Sequence, residues 1–238
     1  MAKRSKRYRD ALDKIDAERL YEPKDAFELL KDLGTVKYDA TVECAVRLGV
    51  DTRKADQMVR GSVSLPNGIG KDVHVAVVAT GGKATEAREA GADHVGDDEL
   101  VEQLGDASFL DQIDAVIATP DMMGKLGRLG KSLGPRGLMP NPKSGTVTMD
   151  VAKAVSEIKS GRVEYRADRN GNVHTVLGKL SFSAQQLTEN YGALIDEIIR
   201  QRPASAKGRY VLTAAVSTSA SPSIRLDPTR AKDLVGES

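Results

Sequence analysis

Between residues 41 and 50 the polarity of the chain alternates position by position. Val42, Cys44, Val46, Leu48 and Val50 occupy one set of positions, and Thr41, Glu43, Ala45 and Arg47 the other. A period of two sends the sets to opposite faces of a strand. The segment is therefore expected to be a half-buried strand with one polar face open to a partner. Upstream the spacing lengthens. Residues 3–19 read as a short helix with a basic start. In a second helix, opened by Pro23 and closed by Gly34, Ala26, Leu30 and Leu33 share a face with Phe27 alongside. Proline is tolerated at a first helical position because its missing N–H has no partner there to lose.

After a polar stretch (51–60) and a short strand (63–65), Pro66-Asn67-Gly68-Ile69-Gly70 has the chemistry of a turn and is read as a linker. The pattern then changes. Residues 73–79 form a nearly continuous apolar run, as expected of a strand covered on both faces. A helix (83–90), a short strand (92–95), a helix with acids in its first turn (97–104) and a third apolar strand (115–118) follow. Strand-helix-strand-helix-strand implies a small parallel sheet with right-handed crossovers.

A helix capped by Asp150 spans 151–158 and ends at Gly161. Alternation then returns in 162–166 and 172–179, expected to form a hairpin around Asp168-Arg169-Asn170-Gly171. Residues 183–199 place Leu187, Tyr191, Leu194, Ile195 and Ile198 on one helical stripe. A strand at 209–216 and a shorter one at 224–226 complete the chain. The expected fold is an α+β split domain (antiparallel sheet with helices), residues 1–66 plus 160–238. It carries an inserted α/β three-layer Rossmann-like parallel-sheet domain, residues 67–159. Two chain crossings at Gly68, Gly70 and Gly161 would form a hinge.

Composition narrows the chemistry. The 238 residues carry no tryptophan and few aromatics, so any core is aliphatic. One cysteine, Cys44, precludes an internal disulfide and reads as a small core residue in a reducing cytosol. No apolar run follows the basic N-terminus, so neither a Sec-type signal peptide nor a membrane span is expected. The formal net charge is only +1. Basic residues nevertheless cluster at 3–9 and 125–143, and acids at 86–114, so a nucleic-acid reader built this way works through local patches and shape.

An enzyme reading rests on the middle domain, where Thr80-Gly81-Gly82-Lys83 follows a strand. Ala84 and Thr85 fill positions that G-x-G-x-x-G requires as glycine and spacer, and no G-x-x-x-x-G-K-[ST] loop is present. His74, His94 and His174 lack metal-ligand spacing. No cofactor or metal is expected, and no nucleophile–base pair presents itself. A nucleotide-dependent enzyme remains the alternative, with saturable nucleotide binding by the middle domain as its mark. A protein-interaction module is a third reading. RNA binding fits the residues better. Lys37 offers a cation, Tyr38 a ring for stacking, and outward Thr41 and Glu43 groups for a 2′-hydroxyl or base edge. His174, on a hairpin strand, is a further candidate.

Gly124, Gly127, Gly130, Gly134, Gly137 and Gly145 punctuate a stretch whose charges are Lys125, Arg128, Lys131, Arg136 and Lys143. Glycine at this density makes a weak helix running into an irregular basic loop. The run G-R-L-G-K-S-L-G-P-R-G-L-M-P-N-P-K resembles the signature of the ribosomal protein L-one family, found on the mobile stalk of the large ribosomal subunit. Arg7-Tyr8-Arg9, the strand at 37–49, Val59-Arg60-Gly61 with Ser64-Leu65-Pro66, and Ala90-Gly91-Ala92-Asp93 agree with it.

The resemblance implies the two-domain plan and places Lys37, Tyr38, Thr41 and Glu43 on an RNA-facing surface, with tyrosine for a common phenylalanine. It sets Asp168 and Lys179 near the same surface. It matches a Thr-Met-Gly-Pro turn to Ser219-Ala220-Ser221-Pro222, where only the hydroxyl of Ser219 survives and Ser221 is expected to adopt the glycine geometry less comfortably. It implies three RNA partners: large-subunit ribosomal RNA, exit-site transfer RNA and the protein's own operon messenger RNA, which it would repress. Lys125, Arg128, Lys131 and Arg136 would then be transfer-RNA or phosphate contacts. Neither a membrane nor a small-molecule substrate is implied.

Overall fold

The structure, a computed structural model, describes residues 5–34 and 36–228, with the backbone alone at Lys143. Lys3 and Arg4 of the basic N-terminal cluster lie outside the described residues. The chain divides into two units, residues 1–70 with 163–238 and residues 71–162.

The first unit begins with α1 (Lys6–Leu12), whose N-cap Ser5 accepts a hydrogen bond from the Tyr8 N–H. The helix is shorter than the pattern of 3–19 suggests. Asp16 Oδ1 accepts from the Glu18 N–H, and the Asp16 N–H donates to the Tyr21 hydroxyl at 3.0 Å. Such local bonds offer the backbone an alternative to the helix. Helix α2 (Pro23–Asp32) has Pro23 in its first turn and buries Ala26, Phe27 and Leu30. Strand β1 (Thr41–Leu48) buries every second residue, and β2 (Arg60–Ser64) follows a 3-10 turn at Ala55–Gln57.

The second unit is built on β3 (Val75–Val78), α3 (Gly82–Glu89), β4 (His94–Gly96), α4 (Asp98–Gln103), α5 (Ala107–Leu110) and β5 (Ala115–Ala118). Helix α5 has no counterpart in the hydropathy pattern; Asp106 caps it by accepting from the Ser108 N–H. The strands pair in parallel in the order β4-β3-β5. All four residues of β3 are buried. Ala76 and Val78 pack with Leu100, Leu104, Leu126 and Leu133, whereas Val75 and Val77 pack with Ala87, Val151, Val155 and Ile158. Alternate residues of one strand thus feed two cores, and a continuous apolar run is the result.

The glycine-rich stretch winds through α6 (Met123–Leu126), a 3-10 turn (Gly127–Leu129) and α7 (Gly130–Leu133) before turning irregular. Its end returns to the sheet, where Val147 bridges Ala118 in parallel. Helix α8 (Val151–Lys159) is capped by Asp150, which accepts from the Lys153 N–H.

The chain then rejoins the first unit through β6 (Arg162–Arg166), β7 (Asn172–Lys179), α9 (Ala184–Arg200), β8 (Val211–Thr218) and β9 (Ile224–Leu226). The expected hairpin of β6 with β7 does not form as a ladder. The turn exists, with Ala167 bridging Val173, but β6 pairs with β2 while β7 pairs with β1. Two features separate the strands. Ala167 N–H donates to Val59 O, and buried Tyr165 packs over Gly61, where an added Cβ would lie 2.7 Å from the phenol oxygen. The main sheet runs β7-β1-β8-β9, with antiparallel neighbours throughout.

Helix α9 opens with a capping box of Ser183 and Gln186 and buries Leu187, Tyr191, Leu194, Ile195 and Ile198 against the sheet. Each such side chain contributes about 1.5–3 kcal/mol when buried. The segment read as a linker is fastened to α9. Fully buried Asn190 accepts from the Asn67 N–H at 3.0 Å and donates to Gly68 O at 3.0 Å and Leu177 O at 2.7 Å.

Candidate nucleic-acid interface

Helices α2 and α9 cover one face of the main sheet, and the other face is open. Register decides which side chains stand on it. On β1 these are Thr41, Glu43, Ala45 and Arg47, with Val42, Cys44, Val46 and Leu48 turned into the core. Burial pushes the Cys44 thiol up to about 12, so it is the inert core residue expected. Pairing adds neighbours to each open position: Lys179 beside Thr41, Val176 and Ser217 beside Glu43, His174 and Ala215 beside Ala45, and Thr213 beside Arg47. Arg225 on β9 lies beside Ala215.

His174 and Lys179 stand an odd number of positions apart, so a regular strand would send them to opposite faces. A register shift between Val42 and Glu43 leaves Leu177 and Gly178 both buried and restores the parity. Gly178 holds φ at 151°, and a Cβ there would meet Phe182 at 2.8 Å. Lys179 Nζ consequently reaches Thr41 Oγ1, donating a hydrogen bond at 2.9 Å.

The loop before β1 carries Lys37 and Tyr38 at the same end. Tyr38 is 58% exposed, the most exposed large hydrophobic side chain among the described residues. Asp39 anchors this loop, accepting from the Ser181 N–H at 2.9 Å and its hydroxyl at 2.7 Å. Ser219 adjoins it, its N–H donating to Thr41 O. Thr41, Lys179 and Ser219 therefore meet at one corner of the open face, at the end where the loop bearing Lys37 and Tyr38 leads into β1.

The turn at 218–221 needs no glycine. Ser221 Oγ accepts from the Thr218 N–H at 2.9 Å and donates to Pro222 O at 3.0 Å. No described residue other than glycine has a positive φ. Ser221 thus stabilises the turn with its hydroxyl in an ordinary backbone conformation. Ala220 is half-buried beside it.

Asp168 lies at the other end of β7 and is occupied by its own turn. It accepts from the backbone N–H and side-chain amide of Asn172, and from the Asn170 N–H. These bonds, Asn172 foremost, hold its carboxyl below the usual carboxylate range. Arg47, Thr213, Ser217 and Arg225 were not singled out from the sequence. The period of β1 carries Arg47, but the other three join the face only through strand pairing.

In the second unit, Lys125 and Arg136 are ion-paired with Asp98 and Asp111. Arg128 and Lys131 are exposed and make no ion pair with any described residue. Lys83, after the Gly81-Gly82 turn, is held by Glu86. His94 packs edge-on against Phe109, with ring centroids 5.0 Å apart, and His74 lies 3.8 Å from Asp93. Among the described residues no three His, Cys, Asp or Glu side chains gather as a metal site, and no helix is long and apolar enough to cross a membrane.

The sequence profile described as the Ribosomal protein L1p/L10e family matches residues 29–222. The chain is 60% identical over 231 residues to the large ribosomal subunit protein uL1 of Thermobifida fusca, covering 97% of each. It is 58% identical over 235 residues to the protein of that name from Streptomyces virginiae, covering 99% of this chain and 97% of the relative. The match to the Cutibacterium acnes protein is 56% over 231 residues, covering 97% and 99%.

Proposed function

The chain belongs to the Ribosomal protein L1p/L10e family, and from that premise we propose that it binds large-subunit ribosomal RNA through the open face of its main sheet. It is a structural protein of the large ribosomal subunit and not an enzyme, so the nucleotide-dependent alternative falls. As part of the ribosome it works in the cytoplasm.

The observation that carries the RNA reading is the meeting of Thr41, Lys179 and Ser219 at one corner of that face, at the end where Lys37 and the exposed Tyr38 lead into β1, with Glu43 next along β1 and His174 beyond. Lys37 and Lys179 supply cations for phosphates. Tyr38 is free to stack on a base. Thr41, Glu43 and Ser219 offer donors and acceptors to 2′-hydroxyls and base edges. Ala220, Ser221 and Asp168 act behind them, shaping the turns that border the face.

In this reading the second unit is an inserted three-layer Rossmann-like domain. It contacts transfer RNA in the exit site and assists release of the deacylated molecule. Arg128 and Lys131 are its phosphate contacts, while Lys125 and Arg136 hold the basic loop to Asp98 and Asp111. Movement between units would concentrate at the crossings near Gly70 and Gly161, since Gly68 is held to α9 through Asn190. A copy of the ribosomal site in its own messenger RNA would make the protein a repressor of its operon.

The test is binding to intact large-subunit ribosomal RNA and to an unrelated duplex. Lys37→Ala with Tyr38→Ala removes one charge and one stacking surface, the latter contributing about 1–3 kcal/mol. Affinity for the ribosomal RNA should fall at least tenfold, whereas Arg128→Ala with Lys131→Ala should leave it nearly unchanged. Equal losses from the two pairs would remove the primary site from the sheet face.

A further inference from the structure

Beyond the corner occupied by Lys37 and Tyr38, the open face continues to the far end of the sheet. There Arg47 on β1 and Arg225 on β9 stand exposed on either side of Ala45, Ala215 and Thr213. We propose that Arg47 and Arg225 form a second phosphate-binding zone, so that the RNA lies along the whole face rather than at one corner. The inference rests on the RNA-binding reading above.

Three observations support it. First, neither arginine makes an ion pair or hydrogen bond through its side chain with a described residue. Elsewhere cations are often neutralised in place, as with Arg60 and Glu164, Arg162 and Glu157, or Lys159 and Asp93. Second, the bed between them is low. Ala45 and Ala215 pair directly, and Arg225 lies beside Ala215. Strands about 4.8 Å apart then put the two arginines roughly 10 Å apart across the sheet and one residue pair, about 7 Å, apart along it. That separation addresses two different phosphates, and alanine methyl groups let a sugar-phosphate backbone lie close between them. Third, the zone is continuous with the corner through Ala45 and His174, with Glu43 the only acid among the open-face positions of β1, β7, β8 and β9. Guanidinium groups suit this task because their planar fork meets phosphate oxygens with two parallel hydrogen bonds.

The full-length protein carrying Arg47→Gln and Arg225→Gln tests the proposal. Both side chains are exposed, so the variant should keep the wild-type unfolding midpoint. Binding to intact large-subunit ribosomal RNA is measured across a salt series beside wild type. Loss of two phosphate contacts should make the log–log salt slope shallower by about 1.4–1.8 and weaken binding at least tenfold at low salt. A variant with wild-type slope and affinity overturns the second zone while leaving the corner intact. A slope change of the same size on an unrelated duplex also overturns it, because the arginines would then attract any polyanion. If wild type itself does not prefer the ribosomal RNA, the RNA-binding reading fails and takes this inference with it.

Discussion

Gly61 and Tyr165 show how a single missing Cβ holds a strand pair. The Tyr165 hydroxyl is buried without a hydrogen-bond partner among the described residues, and burial pushes its phenol well above the ordinary tyrosine value. An alanine at position 61 would press its methyl into that hydroxyl. Gly61→Ala should therefore cost about 1–3 kcal/mol. Tyr165→Phe, which removes an unpaired polar atom and keeps the ring, should change stability by less than about 1 kcal/mol. In the phenylalanine background the glycine substitution should cost less, because the nearest clash is gone. Urea melts of the four proteins close this cycle; an undiminished penalty would place the strain elsewhere. Asp168 and Ser221, expected from the sequence as contacts, also shape their own turns, a role that residue type alone does not reveal.

At the scale of elements, the bulge in β7 matters most. It reconciles an odd sequence separation with a shared face, and Gly178 is what permits it. Gly178→Ala should lower stability by about 1–3 kcal/mol, since φ near 151° and the Phe182 ring both oppose a methyl group. By disturbing the path into Lys179 it should also weaken ribosomal-RNA binding at least several-fold. An unchanged melting temperature with unchanged binding would mean the bulge re-forms around alanine. Alternation located β7, but a bulge leaves no hydropathy signature, because Leu177-Gly178 reads as an ordinary step. The 162–166 and 172–179 pair teaches the same lesson. Asn170-Gly171 marked the turn, yet the flanking strands found better partners in β2 and β1.

For the whole molecule, the second unit has apolar clusters on both faces of its own sheet, and its residues are contiguous from 71 to 162. Expressed alone, this fragment should fold with one cooperative calorimetric transition. It should bind ribosomal RNA no better than an unrelated RNA of equal charge. A non-cooperative melt would show that it depends on the rest of the chain. The change from alternating to continuous apolar strands between residues 66 and 73 carried the contrast between the two units, because burial on one face or two writes a different pattern. The structure divides the chain a few residues later, at 70/71 and 162/163 rather than 66/67 and 159/160, since Asn190 binds the 67–68 segment to α9.

Local sequence alone determined the main strands and longer helices, though not α5 or the early end of α1, and which face of β1 meets solvent, because periodicity reflects burial directly. It also marked the α9 stripe, the Pro23 and Asp150 helix starts and the core position of Cys44. Tertiary structure alone decided which strands became neighbours. That choice brought Ser217 beside Glu43, Thr213 beside Arg47 and Arg225 beside Ala215, and it tied Lys125 and Arg136 to acids far away in the chain. Pairing between distant segments depends on how whole faces pack, and no spacing within one segment records it.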